Sequence, residues 1–104
     1  MASTVLQWAP RPAAARGWRN DELAELYRVE SSLIQAGLVV ETESGLTDEG
    51  DPWFVFCLAD GQVAVHAARI DGVYLLDCPS LPVPLKGDSF SSIARAFVAT
   101  LPIE

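Results

Sequence analysis

The chain has 104 residues, of which half are hydrophobic and one fifth are charged, a composition that excludes a disordered chain and supplies one hydrophobic core. The formal net charge of −7 is distributed unevenly along the chain. Residues 1–19 carry three arginines and no acid, whereas residues 20–104 carry four basic and fourteen acidic residues. Because so acidic a body repels a phosphate backbone, nucleic acid is disfavoured as a partner.

Cellular location is indicated by what the chain lacks. The start, Met1 to Gln7, has no charged segment followed by an apolar run, and no stretch approaches the roughly 18 apolar residues that span a bilayer. Cys57 and Cys78 form neither a disulfide framework nor a zinc-knuckle spacing, and both lie in apolar strand contexts. We therefore expect a cytoplasmic protein with no membrane span in this chain and no cofactor.

Residues 1–19 are predicted to form an arm before one domain over residues 20–104. Pro10 and Pro12 interrupt any regular element there, while Trp8 and Trp18 are large apolar groups with no helix pattern around them. Two interpretations stay open. Either at least one tryptophan packs on the body, which is worth about 2–3 kcal/mol, or the arm is an exposed aromatic and basic peptide that docks elsewhere.

The first helix is predicted to begin at Asn20 or Asp21, both of which are good N-cap residues. Its apolar stripe consists of Leu23, Leu26, Val29, Leu33 and Ala36. Gly37 is predicted to end the helix, because glycine adopts the left-handed conformation without strain. A short strand over Leu38 to Glu43 and an acidic loop over Ser44 to Pro52 are expected to follow.

Three apolar runs, 53–58, 62–70 and 73–78, are separated by Asp60-Gly61 and Asp71-Gly72. Asp-Gly between such runs is typical of the two-residue type I′ turn, which needs a positive φ at both central positions. Two such turns in succession predict a three-stranded antiparallel meander.

Two-residue turns also predict the register of the meander. They place His66 opposite both Val55 and Asp77, and they pair Cys57 with Ala64 and Arg69 with Tyr74. One sheet face then consists of Phe54, Phe56, Leu58, Val63, Val65, Ala67, Leu76 and Cys78. The other face consists of Trp53, Val55, Cys57, Ala64, His66, Ala68, Leu75 and Asp77. Since the second face is also mostly apolar, either the helices divide between the two faces or a partner covers one of them.

Residues 79–87 are rich in proline and are predicted to form an extended linker; the alternative is a recognition motif for an aromatic groove. A last helix is predicted to open at Asp88 or Ser89 and to end by Pro102. Its apolar stripe consists of Phe90, Ile93, Ala94, Phe97, Val98 and Leu101. The predicted fold class is therefore α+β, with an N-terminal helix, a short strand, the meander, and a C-terminal amphipathic helix packed on the sheet.

His66 and Asp77 form the best polar pair for chemistry, because a carboxylate opposite an imidazole can orient it. Cys57 lies on the same predicted face, about one diagonal step from His66, so a Cys-His-Asp arrangement for a small hydrolase is conceivable. The alternative is that His66 and Asp77 satisfy each other and that Cys57 is packing. No complete catalytic set is present.

The loop residues Asp48, Glu49 and Asp51 are candidate ligands for a hard cation, although the spacing is not that of an EF-hand and a solvated turn is the alternative. Over residues 21–70, the order of helix, strand and hairpin is similar to the core of the restriction-endonuclease-like metal nucleases. That resemblance implies Glu30 and Asp51 as metal carboxylates. The strand beginning at Gln62 lacks the lysine of those enzymes, and the chain is not identified as a member of that family.

Trp53, His66, Arg69 and Tyr74 are candidate binding residues. Arg69 is expected to pair with Glu30 or Tyr74 in a structural role, or to contact an anion if it faces solvent. Trp53, Tyr74 and Cys57 are candidates to line an apolar pocket, which is the basis for a small-ligand sensor as one alternative function.

The leading hypothesis is a non-catalytic interaction or regulatory module of a bacterial cytoplasm that acts through protein–protein contacts. The surplus apolar area on both sheet faces and the missing catalytic set favour it, and a self-complementary face predicts a twofold homodimer. The rival hypothesis is a small hydrolase or metal-dependent enzyme built on His66, Asp77 and the acidic loop over residues 48–51.

Overall fold

The structure, a computed structural model, describes residues 17–38 and 40–101 and has the predicted α+β fold. An N-terminal helix precedes five antiparallel strands in one sheet, and a C-terminal helix packs on that sheet. The elements in chain order are α1 Asn20–Gln35, β1 Val40–Leu46, β2 Pro52–Leu58, β3 Val63–Ile70, β4 Val73–Asp77, β5 Leu85–Gly87 and α2 Phe90–Val98. Within these residues, no helix is long and apolar enough to cross a membrane.

The sheet extends the predicted meander by one strand on each side. The strands lie in the order β1-β2-β3-β4-β5, so each one pairs with its neighbour in the chain. The predicted strand over residues 38–43 is β1, which runs on to Leu46 and pairs with β2. The prediction of a linker over residues 79–87 was wrong at its end, because Leu85 to Gly87 pair with β4 as β5.

The second Asp-Gly turn has the predicted geometry, and the first does not. Asp71 and Gly72 have φ angles of 53° and 79°, as a two-residue type I′ turn requires. At the first turn Gly61 has a φ of 89°, but Asp60 does not have a positive φ, and the Gly61 amide donates to the Leu58 carbonyl. This geometry is that of a longer loop, in which the glycine follows a tight turn.

The longer loop changes the register at the start of β3. A bulge lies beside Phe56 and Cys57, so that Cys57 is opposite Val63 and the predicted Cys57–Ala64 pair is wrong. Val63 therefore shares a face with Cys57, and Ala64 packs against the core. The remaining predicted pairs are confirmed: His66 lies opposite both Val55 and Asp77, and Arg69 lies opposite Tyr74.

The helix ends follow from local sequence. Helix α1 starts at Asn20, so its N-cap is Arg19, and the prediction of Asn20 or Asp21 as the N-cap was wrong. Its last carbonyls accept hydrogen bonds from the amides of Gly37, whose φ is 92°, and of Leu38. Gly37 thus ends the helix as predicted. Helix α2 is capped by Ser89, whose side-chain oxygen accepts a hydrogen bond from the Ser92 amide at 3.3 Å.

Both helices pack on the same face of the sheet, which we call the inner face. Their apolar stripes and the inner face form one core that also contains Trp18. The fully buried members with the largest side chains include Leu26, Leu33, Phe54, Phe56, Leu76 and Phe97. The helices therefore do not divide between the two faces. Trp8 lies outside the described residues, as do the rest of residues 1–16, so the predicted boundary of the arm stays a prediction.

Candidate functional site

The opposite side of the sheet, which we call the outer face, is not covered by any element among residues 17–38 and 40–101. Its register positions are Trp53, Val55, Cys57, Val63, His66, Ala68, Ile70, Val73, Leu75 and Asp77, with Glu41 and Glu43 on β1 and Lys86 on β5. Among its apolar residues, Val63, Ile70 and Val73 are each more than 40% exposed, whereas Val55 and Leu75 are half-buried and Ala68 is only 1% exposed. The centre of this face is apolar and its charges lie toward the edges.

Trp53 is the largest side chain on the outer face, and its indole lies against Gly45 of β1. A methyl group built on Gly45 would come within 2.7 Å of the indole carbon Cζ2, so the ring rests directly on the glycine backbone. Gly45 is the register partner of Trp53. The absence of a side chain at Gly45 therefore lets the tryptophan lie along the sheet and widens the apolar surface.

The structure places His66 opposite Asp77, but it does not assemble a catalytic site around them. His66 is exposed, and in the described part of the chain neither side chain has a hydrogen bond or an ion pair. Cys57 is half-buried on β2, with Val63 and Glu41 as its register partners. The Cys-His-Asp arrangement therefore lacks the hydrogen bonds between nucleophile, base and orienting acid that such chemistry uses.

An open groove of about 420 Å³ adjoins His66 and Asp77. Its other lining residues are Val63, Cys78, Pro79, Leu81, Pro82 and Pro84. The proline segment thus forms one wall, and the outer face forms the other. This groove extends the outer face and does not form a separate enclosed pocket.

The candidate metal ligands are not brought together. Asp48 and Glu49 are exposed in the turn between β1 and β2, and the Asp51 amide donates to the Thr47 hydroxyl at 3.1 Å. Across the described ranges, no three His, Cys, Asp or Glu side chains form a group able to hold a metal ion. Glu30 and Asp51 accordingly belong to no such group.

A buried polar cluster lies on the inner face, around a carboxylate that the sequence analysis did not single out. Glu22, only 1% exposed, accepts two hydrogen bonds from Arg69 Nη1 at 2.5 and 2.6 Å and one from the Tyr74 hydroxyl at 2.5 Å. The Arg19 amide donates at 2.7 Å, and the Arg19 guanidinium lies 3.2 Å from the same carboxylate. We call Arg19, Glu22, Arg69 and Tyr74 the Glu22 cluster.

The charge of Glu22 is stabilised by its donors. Burial alone would raise the pKa of Glu22, but hydrogen bonds from the Arg19 amide, Tyr74 and Arg69 outweigh it and hold that pKa below its ordinary value. Burial raises the pKa of Tyr74, and its hydrogen bond to the Glu22 carboxylate raises it further. Tyr74 therefore stays a neutral donor while Glu22 stays an ionised acceptor.

Aromatic rings pack against the Glu22 cluster and join it to Gly17 and Trp18, just before α1. Phe90 stacks on Tyr74 at 5.1 Å and on Trp18 at 5.7 Å between ring centroids. The Arg69 guanidinium lies 5.9 Å from the centre of the Trp18 ring, and its Nη2 donates to the Gly17 carbonyl at 2.9 Å. The cluster thus ties the segment before α1 to the sheet, a structural role.

Two of the candidate binding residues, Arg69 and Tyr74, lie on the inner face. Arg69 lies opposite Tyr74 in the structural role expected for it, but the carboxylate with which it pairs is Glu22 and not Glu30. Tyr74 is on the same inner face, whereas Trp53 and Cys57 are on the outer face, so these three residues do not line one pocket. Of the four candidate binding residues, only Trp53 and His66 are available on the outer face.

Glu22 was missed although its position carried a signal. It precedes Leu26 by four residues and Val29 by seven, which places it on the buried stripe of α1. A carboxylate on such a stripe requires a buried cation, and Arg69 is on the inner side of the predicted sheet. Comparison with protein-family models, curated proteins and solved structures found no match for this chain.

Proposed function

We propose that this chain is a non-catalytic module that binds protein through the outer face of its sheet, and that it binds a second copy of itself as a homodimer. The observation that carries the proposal is that both helices pack on the inner face, which leaves the apolar outer face without a cover in the described residues. An antiparallel sheet that faces only water is expected to alternate apolar and polar residues. Here Trp53, Val55, Ala68 and Leu75 occupy the centre of the face that should be polar.

The chemistry of the outer face suits a protein surface better than other ligands. A flat apolar centre with an aromatic residue and charges at its rim is the usual arrangement of a protein interface. Glu41, Glu43 and Asp77 outnumber the single cation Lys86 there, which disfavours a phosphate backbone. In the part of the chain that the structure describes, the space beside this face is an open groove and not an enclosed cavity that would bury a small molecule.

Sedimentation velocity over a wide range of protein concentration tests the proposal. We expect the mean mass to rise with concentration toward that of a dimer, and Val55→Glu at the centre of the face to abolish the rise. Ile34→Glu is the matched control, because Ile34 is 57% exposed on α1, away from the outer face. Circular dichroism of both variants checks that they remain folded.

A second variant guards against misfolding of the first. Val73 is 44% exposed, so Val73→Glu adds a charge to the outer face without removing a buried side chain. If both outer-face variants associate as strongly as the wild type and the Ile34→Glu control, the outer face is not the interface and the proposal is overturned.

A further inference from the structure

We propose that residues 1–16 of this chain dock on the outer face of their own sheet and compete there with a second copy. The inference goes beyond the proposed function, because it names an occupant from the same chain and does not require a dimer. Three observations lead to it: the position of Gly17, the length of the segment before it, and the opposite charges of that segment and the outer face.

Gly17 joins this segment to the body at one end of the sheet. A methyl group built on Gly17 would come within 2.7 Å of Leu46 Cδ2 and 2.9 Å of Pro52 Cβ. Leu46 is the last residue of β1, and Pro52 is the first residue of β2. The indole of Trp18 donates to the Trp53 carbonyl at 3.4 Å, one residue further along β2. Residues 1–16 are therefore attached beside the strand end that carries Trp53, the largest side chain on the outer face.

The same end of the sheet exposes apolar side chains. Antiparallel pairing places the end of β3 and the start of β4 beside the start of β2. Ile70 and Val73, at these positions on the outer face, are 41% and 44% exposed, and Leu46 is 41% exposed. A segment that turns from Gly17 onto the outer face passes next to this end and removes apolar surface from water.

The segment is long enough to reach the centre of the outer face. Trp8 precedes Gly17 by nine residues, and an extended chain advances about 3.3 Å per residue, so Trp8 reaches as far as about 30 Å from Gly17. Val55, at the centre of the face, lies three residues along β2 from Pro52, a distance of about 10 Å. The indole of Trp8 can therefore lie on the apolar centre even after the chain has turned round the end of the sheet.

The composition of the segment complements the outer face. Val5, Leu6 and Trp8 are large and apolar, and Arg11 and Arg16 are the only charged side chains in residues 1–16. The outer face and the sheet end beside Gly17 are acidic, through Glu41, Glu43, Asp77, Asp51 and Asp71. Lys86 is the one cation on the outer face in the part of the chain that the structure describes. A basic aromatic segment therefore meets both an apolar surface and opposite charge there.

The segment and a second copy exclude each other, because both occupy the same apolar centre. A binding group tethered by a short linker has an effective concentration on the order of millimolar, whatever the concentration of the protein. A second copy is present only at the concentration of the protein itself. The segment therefore occupies the outer face in dilute solution, and a second copy displaces it as the concentration rises.

Alkylation of Cys57 by iodoacetamide measures whether the outer face is covered. Cys57 is half-buried on this face, and Cys78, which is 9% exposed, is the internal reference. At a concentration where sedimentation shows a monomer, we expect Trp8→Ala to raise the alkylation rate of Cys57 on the order of tenfold, because it removes a large apolar contact. Ile34→Ala, at an exposed position of α1, is the matched control and should leave the rate unchanged.

Photochemical cross-linking locates the segment directly. With p-benzoylphenylalanine in place of Trp8, irradiation of the dilute full chain should join this position to residues of the outer face near Val55 and Cys57. Mixing isotopically labelled and unlabelled protein shows whether a link lies within one chain or between two. Links to the helices, or links between chains, would overturn docking on the same sheet.

The outcomes separate this inference from the proposed function. Faster alkylation of Cys57 in Trp8→Ala, together with a dimer that forms at lower concentration than in the wild type, supports both. Faster alkylation with a strict monomer at every concentration supports the docking and overturns self-association. Equal alkylation rates in the wild type and Trp8→Ala overturn the docking, and sedimentation of Val55→Glu then tests the proposed function by itself.

Discussion

Replacing Glu22 with glutamine should destabilise the fold far more than a surface carboxylate would. Glu22 is 1% exposed and accepts hydrogen bonds from Arg69, from Tyr74 and from the Arg19 amide. Glutamine has nearly the same shape, but it removes the charge and turns an amide N–H toward groups that are themselves donors. The Arg69 guanidinium, whose side chain is 23% exposed, then loses its counter-charge.

The expected loss of unfolding free energy is about 3 kcal/mol, at the lower end of the range for breaking a buried ion pair by removing one partner. Each hydrogen bond to a charged group contributes about 1.5–3 kcal/mol to stability. The loss of one or two of the hydrogen bonds to Glu22 is therefore enough to account for about 3 kcal/mol. In a domain of this size the midpoint of thermal unfolding should fall by more than about 10 °C.

Urea unfolding followed by tryptophan fluorescence and by circular dichroism measures the effect. Asp21→Asn is the matched control in the same helical turn, because Asp21 is 74% exposed and its ion pair with Arg19 spans 3.4 Å. Such a surface pair contributes at most about 1 kcal/mol. Glu22→Gln and Asp21→Asn therefore change the same kind of group in buried and exposed positions.

The pH dependence separates the charge of Glu22 from its packing. Because the folded-state pKa of Glu22 is below that of an unfolded glutamate, about 4.3, its contribution is present above that value and is lost as the pH falls through the folded-state pKa. The difference in stability between wild type and Glu22→Gln should therefore shrink below about pH 4.3. A difference under about 0.5 kcal/mol at neutral pH, or one constant across pH, would refute this reasoning.

Three further predictions concern local features of the fold. Phe90→Ala should lower the free energy of unfolding in urea by about 3–5 kcal/mol, because Phe90 is 4% exposed and stacks on Trp18 and Tyr74. A loss under about 1 kcal/mol would contradict its place in the core. Gly45→Ala should displace the Trp53 indole, since the added methyl group would lie 2.7 Å from it, and an unchanged fluorescence spectrum would contradict that contact. Ser89→Ala should lower the free energy of unfolding by about 1 kcal/mol, because it removes the N-cap of α2. Ser91→Ala is the comparison, and equal losses in the two variants would argue against capping.

Sequence reasoning was most successful where structure depends on near neighbours. The Asp71-Gly72 turn sets the register between β3 and β4, so the sequence alone places His66 opposite Asp77. The prediction for the first Asp-Gly turn was wrong because the same dipeptide also suits a longer loop, in which only the glycine has a positive φ. Which of the two loops forms depends on how the flanking strands pair.

The candidate site shows the same limit. An alternating or helical pattern identifies which residues are apolar, and it therefore placed Trp53 and Val55 on one face of the sheet. It does not indicate which face the helices cover, because both faces are apolar in this chain. The path of the chain decides this, because it returns both helices to the inner face, so that neither helix covers the outer face.

The sequence by itself determined the fold class, the approximate ends of both helices and most of the register, since each depends on contacts within a few residues or across one tight turn. Only the tertiary structure decided that Glu22 meets Arg69 and Tyr74, and that both helices pack on the inner face of the sheet. Glu22 lies 47 and 52 positions from these two partners. Contacts so distant in the chain are set by how whole elements pack, which local patterns do not encode.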